Sequence, residues 1–201
     1  MTNSNPYDLV NPQLNATNTF PVVVKELNQP PVLPVFETQA AALLQLLTLA
    51  NTATEPNLHS TNAGYGLLSA PAGVAISTSG IITWTPATSQ TLTTNLITTV
   101  ATNGNPYDPV NPRLTATNDI WVIVQPSVAP TSVTAARLSR TNLSLTWPAD
   151  HTGWRLQVQT NSVATGLGTN WVGVGGSSAT NQIVVPQTKS PGEVFYRLVY
   201  P

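Results

Sequence analysis

Short runs of alternating apolar and polar residues, bounded by Gly, Pro, Asn or Ser, recur along the 201-residue chain. Period-two alternation puts successive side chains on opposite faces of a strand. Leu114, Ala116, Asn118, Ile120, Val122 and Val124 share one face of such a strand, while Trp121 and Ile123 point to the other. Phe20–Val24, Ile81–Pro86 and Leu96–Val100 read as further strands. The second of these is entered through the turn-forming run Ser77-Thr78-Ser79-Gly80. Beyond residue 130 the pattern returns in Leu143–Trp147, Trp154–Gln159, Trp171–Val174, Ile183–Val185 and Val194–Leu198. Short strands separated by Gly/Asn/Ser/Pro clusters describe a small β-sandwich. One segment departs from this: Thr38–Ala50 is rich in Ala and Leu, which favour helix. Its β surroundings favour a strand from Leu46 onward and leave Thr38–Gln45 open between helix and strand.

A repeat organises these elements. Residues 2–25 and 102–125 align without a gap at an offset of 100, and fifteen of the 24 positions are identical. Asn5-Pro6-Tyr7-Asp8 matches Asn105-Pro106-Tyr107-Asp108, and Ala16-Thr17-Asn18 matches Ala116-Thr117-Asn118. That period suits whole sandwich domains rather than solenoid units. The expected division is therefore 1–28, the C-terminal strands of a truncated preceding repeat with its linker; 29–125, a complete repeat; 126–130, a linker; and 131–201, a C-terminal β-sandwich. Pro30, Pro31 and Pro34 stiffen the first connection. On this reading the chain is a fragment of a longer protein, with a secretory signal expected upstream.

Composition removes several functions. Only 7% of residues are charged, with 7 Lys+Arg against 8 Asp+Glu, so no basic surface faces a nucleic-acid backbone. The absence of cysteine removes disulfides, thiolate metal sites and cysteine nucleophiles. No apolar run reaches the roughly 20 residues of a membrane span. Thr, Ser and Asn make up close to a third of the chain, while 41% hydrophobic content still supplies a core.

The run Leu67-Leu68-Ser69-Ala70-Pro71-Ala72-Gly73-Val74-Ala75-Ile76, then Gly80-Ile81-Ile82-Thr83-Trp84-Thr85-Pro86, Gln90 and the closing Ala116–Val124 strand resemble a known family. These are the cadherin-like, dystroglycan-type immunoglobulin-like repeats of large bacterial surface proteins. Residues 131–201 are similar to the fibronectin-like β-module at the C-terminus of such proteins, through Leu145–Gln157, Thr169–Val172 and Phe195–Leu198. The resemblance implies an all-β fold of tandem immunoglobulin-like or cadherin-like β-sandwiches at the cell surface or outside the cell. It also implies neighbouring domains of a longer parent chain as partners, and calcium bound by acidic residues at domain junctions. Here the junction residues are sparse: Glu55-Pro56-Asn57 and Thr102-Asn103-Gly104 stand where related repeats carry more aspartates. The resemblance leaves Glu26, Asn28, Glu55, Asn57 and Asn103 as calcium candidates, with two carboxylates among them, where calcium prefers six to eight oxygens.

Other chemistry is thin. Asp150-His151 is an adjacent acid–imidazole pair, but no G-x-S-x-G elbow accompanies it, and Asp150–Gly153 has the composition of a turn between strands. His59 has only Glu55 nearby in sequence, short of a zinc site. Asp8 and Asp108 share a repeat position and read as turn residues bonding nearby backbone N–H groups. Trp147 and Trp154 read as core, and Trp171 and Tyr200 as exposed rings suited to a sugar face. The leading expectation is a non-catalytic structural or adhesive fragment of an exported bacterial surface protein, acting as spacer or presentation module. The alternatives are calcium-dependent adhesion, binding of a surface glycan or protein, and a C-terminal sorting or anchoring role for residues 131–201.

Overall fold

The alternation between Leu114 and Val124 is realised in the central strand of the first sandwich: Ile120, Val122 and Val124 are fully buried, and Trp121 and Ile123 face outward. The computed structural model describes residues 2–23, 25–187 and 192–201. Strands β1 (Thr2–Ser4) and β2 (Gln13–Asn15) form an antiparallel hairpin. The first sandwich comprises β3 (Gln39–Ala42), β4 (Leu47–Ala50), β5 (Thr61–Ser69), β6 (Ala75–Ile76), β7 (Ile81–Trp84), β8 (Thr94–Gly104) and β9 (Thr115–Gln125). Its four-stranded sheet runs β3-β9-β8-β5, with β3 parallel to β9, and its three-stranded sheet runs β4-β7-β6. Ala41, Leu43, Leu49, Ile82, Trp84, Ile97, Ile120, Val122 and Val124 fill the space between them.

The helix-prone segment Thr38–Ala50 is two strands. Leu43 N–H donates to Gln125 O (2.8 Å) and Leu44 N–H to Pro86 O (3.0 Å), so the chain passes from one sheet to the other between β3 and β4. Leu44 makes the turn at φ 59°, a region a leucine rarely adopts. Pairing on both sheets and burial of Ala41, Leu43 and Leu49 override intrinsic propensity. The strand expected at Phe20–Val24 does not form over Phe20–Val23; Val24 lies outside the described residues. Its counterpart in β9 is held by β8 on one side and β3 on the other. Among the described residues, the repeat copy of the ladder stops at the short β1–β2 hairpin, no strand pairs with Phe20–Val23, and Phe20, Val22 and Val23 are exposed.

The second sandwich comprises β10 (Thr134–Arg137), β11 (Asn142–Thr146), β12 (Arg155–Asn161), β13 (Val172–Gly173), β14 (Gln182–Pro186) and β15 (Glu193–Val199). Its sheets are β10-β11-β14 and β13-β12-β15, packed around Leu145, Trp147, Leu156 and Val185. The protein is all-β, with two separately cored β-sandwiches in tandem.

Candidate functional site

Glu26, Asn28, Glu55, Asn57 and Asn103 meet at one pole of the first sandwich. Here residues 26–29 pass between the β4–β5 loop and the β8–β9 hairpin. Asn28 and Asn103 form a reciprocal amide pair, each Nδ2–H donating to the other's Oδ1 at 3.2 Å. Both are buried. Asn103 Nδ2 also donates to Gln29 O (2.7 Å) and to Glu55 Oε2 (3.0 Å), while Leu114 N–H donates to Asn103 Oδ1 (3.0 Å) and orients the amide. Asn57 bridges the linker, accepting from Gln29 N–H (2.7 Å) and donating to Leu27 O (3.0 Å). Glu26 accepts from Leu58 N–H (3.0 Å) and Asn105 Nδ2 (3.0 Å), and its Oε2 lies 3.2 Å from His59 Nδ1.

Asp108 completes this network. Its Oδ1 accepts from Val110 N–H (2.9 Å) and Asn111 N–H (3.0 Å), which is the turn role read from the repeat. Its Oδ2 accepts from Asn28 N–H (2.9 Å), a contact across 80 residues of sequence. Ser60 Oγ–H donates to Asn28 Oδ1 (3.0 Å). Backbone N–H donation from Asn111 and Asn28 holds the Asp108 carboxyl below the usual carboxylate range, against the opposing effect of burial. Burial is also the largest influence on Glu26 and disfavours its charge. Hydrogen bonds from Asn105, His59, Leu58 and Asn57 together outweigh it, and its pKa is lowered. Asp108, Asn105, Ser60 and His59 were not among the candidates for this pole; the repeat signals the first two, and nothing local signals the others.

A second constellation joins the two sandwiches. Ser127 N–H donates to Asp150 O (2.7 Å), Trp154 Nε1–H to Ser127 O (2.8 Å), and Thr91 Oγ1–H to Thr152 O (2.8 Å). His151, 3% exposed, has Nδ1 2.8 Å from Asp150 Oδ1 and Nε2 2.7 Å from Ala129 O. Both ring nitrogens of His151 are thus engaged, Nδ1 by the adjacent Asp150 and Nε2 by the linker carbonyl of Ala129. Gly153 sits at φ 111°, where an added Cβ would lie 3.0 Å from Thr91 Oγ1. Trp147 is core, as its strand position implies, but Trp154 is not. It belongs to the joint, set between a tilted His151 ring (centroids 5.0 Å apart) and an edge-on Tyr200 ring (5.6 Å).

The two aromatic candidates do not form one platform. Trp171 carries the Arg197 guanidinium 4.2 Å from its ring centroid, a cation–π contact covering one face. Arg197 is exposed on β15, whereas its neighbours Tyr196 and Leu198 pack toward the core, so Trp171 lies on the outer face of that sheet. Tyr200 meets Trp154 edge-on at the joint.

No family model and no curated protein matches the chain. Among solved structures it is similar to the crystal structure of Drosophila N-cadherin EC1-4, at 13% identity over 87% of this chain and 50% of that one, with a TM-score of 0.41. The chain spans half the length of that structure. The all-β class rests on the chain's own sheets. Among the described residues, no helix is long and apolar enough to cross a membrane.

The donor set of the polar pole decides whether it suits calcium. Among the described residues, no three His, Cys, Asp or Glu side chains gather in one place. Both Glu26 oxygens, Glu55 Oε2, Asn28 Oδ1, Asn57 Oδ1, Asn103 Oδ1 and both Asp108 oxygens already accept N–H or O–H bonds or, for Glu26 Oε2, also face His59. Among the described oxygens of this pole, Glu55 Oε1 is the one buried without a partner. An orphaned acceptor costs about 1–3 kcal/mol, enough to attract a water but far short of six to eight ligands. Asn103 Nδ2 lies within hydrogen-bond distance of Asn28 Oδ1, Gln29 O and Glu55 Oε2, so these three acceptors already face a donor. As arranged, these residues do not fit calcium.

Proposed function

We propose that the chain is a non-catalytic spacer that holds its two sandwiches, and whatever they carry, in a fixed relation at a cell surface. The observation that carries this is the joint. A free five-residue linker would let two domains tumble. Here residues 126–130 are bonded back to the 149–154 loop, and Thr91 of the first sandwich bonds that loop directly. The surface location rests on the resemblance of residues 67–86 and 116–124 to bacterial surface repeats. A spacer needs no reactive group, and the Asp150–His151 pair is consumed in holding the joint. The linker at the other pole is locked by amides, so stiffening there requires no ion.

The test is the distance distribution between spin labels on the two sandwiches. The chain has no cysteine of its own, so Thr117→Cys and Thr160→Cys place labels on exposed strand positions. A narrow distribution is expected, broadened by Trp154→Ala and, to a smaller extent, by Thr91→Val. A parent distribution as broad as that of Trp154→Ala would sink the proposal.

A further inference from the structure

The β8–β9 hairpin grips a linker, and its repeat copy has the same gripping residues, which hold no segment among the described residues. In the first sandwich four hairpin residues hold Glu26–Gln29. Asn103 donates to Asn28 Oδ1 and Gln29 O and accepts from Asn28 Nδ2; Asn105 donates to Glu26 Oε2; Asp108 accepts Asn28 N–H; and Asn111 O accepts Asn28 Nδ2 (2.9 Å).

The copy at 2–15 keeps all four residues, as Asn3, Asn5, Asp8 and Asn11. It also builds the same turn. Asn5 Oδ1 accepts from Tyr7 N–H (3.1 Å), matching Asn105 and Tyr107 (2.9 Å). Asp8 Oδ1 accepts from Val10 N–H (3.0 Å) and Asn11 N–H (2.9 Å), matching Asp108. Asn5 N–H donates to Pro12 O at 2.9 Å, and Asn105 N–H to Pro112 O at 2.9 Å. The turn is therefore formed locally, without the rest of a sandwich. What differs is the far side. Among the described residues, Asn5 Nδ2 and Asp8 Oδ2 have no partner, whereas Asn105 Nδ2 and Asp108 Oδ2 hold the linker.

We propose that the hairpin Thr2–Asn15 is a second linker-binding site, which receives an extended Glu-x-Asn segment from a neighbouring repeat. The chemistry of the occupant is read from the filled copy. A carboxylate faces Asn5, an asparagine pairs with Asn3 and lies against Asn11 O, and that asparagine's backbone N–H reaches Asp8. The ligand is thus defined by one acidic side chain, one amide side chain and one free N–H in extended conformation. The same fit makes a hairpin of this kind a reusable clasp in an array.

The experiment titrates the isotopically labelled full chain with the peptide acetyl-Lys-Glu-Leu-Asn-Gln-Pro-amide, read by NMR. Saturable shifts are expected at millimolar peptide in the Tyr7, Val10 and Asn11 backbone amides and the Asn3 and Asn5 side-chain amides. The 102–115 hairpin, already filled, should not move. Affinity should fall about tenfold or more when Ala replaces Asn in the peptide, and likewise in the Asn3→Ala protein. The peptide arm leaves the protein untouched, so loss of hairpin structure cannot explain it. No saturable shift, or shifts indifferent to both changes, would overturn the proposal. So would shifts that follow protein concentration without peptide, which would assign the surface to a second copy.

Discussion

Asparagine carries more of this structure than any charged residue. Asn103 is buried and makes four side-chain hydrogen bonds besides the one from Leu114, a count an aspartate could not reproduce because it has no N–H to give. Asn103→Asp would face Glu55 Oε2, the Gln29 carbonyl and Asn28 Oδ1 with a second negative charge and no donor. The variant is expected to melt lower than the parent in chelator and to recover part of the loss in millimolar calcium by mass action. The parent midpoint should be the same in both. A parent midpoint that rises with calcium would contradict the donor assignment. The pole also sets an acid limit. Asp108 and Glu26 have native pKa values below those of the unfolded chain, so their contribution is complete above the ordinary carboxylate range near 4 and is lost as pH falls through the lower native values. Urea midpoints measured between neutral pH and pH 3 should drop, and the drop should be shallower in Asp108→Asn. Equal slopes would remove Asp108 from the account.

Among elements, the β4–β5 connection and the turn before β7 show how a glycine serves a sandwich. Gly80 has φ 82°, and a Cβ there would meet Asn51 O and the Tyr65 ring at 2.9 Å. Asn51 is in turn buried, bonding Thr99 Oγ1 (2.9 Å) and accepting from Asn118 (3.0 Å), so the neighbour cannot withdraw freely. Gly80→Ala is expected to cost at least ~2 kcal/mol by chemical denaturation, from the left-handed backbone and the clash together. Gly175→Ala, with open space at its Cβ, should stay within ~0.5 kcal/mol. A tolerated Gly80→Ala would show that the turn relaxes. The strands themselves were legible where alternation was long: β9, β7, β8, β11, β12 and β15 lie where the pattern puts them. Short or one-sided patterns misled. Thr38–Gln45 stays open between helix and strand because its Ala and Leu favour helix while its surroundings are β, and only the Gln125 and Pro86 carbonyls reveal its sheet switch. Phe20–Val23 reads as strand because its side chains suit one, yet a strand also needs a ladder to join.

At the scale of the molecule, the repeat told most. A 100-residue offset separates one full sandwich from a copied hairpin, and both hairpins fold the same turn because Asn and Asp side chains bond their own backbone within three residues. The candidate pole was legible as a set of residues, since Glu26, Asn28, Glu55, Asn57 and Asn103 do come together. Its chemistry was not, because whether an oxygen is free depends on donors from three distant segments. The joint was wholly illegible. Asp150-His151 looks like a catalytic fragment or a bland turn until Ala129, Ser127 and Thr91 are seen around it. The sequence by itself determined the all-β class, the alternating faces of the long strands and the local turns, because these follow from contacts between residues near in the chain or from a period of two. Tertiary structure alone decided where the helix-prone segment pairs, which acceptors remain open, and how one sandwich is held to the next. Those depend on groups tens of residues apart whose hydrogen bonds exist only once the sheets have packed.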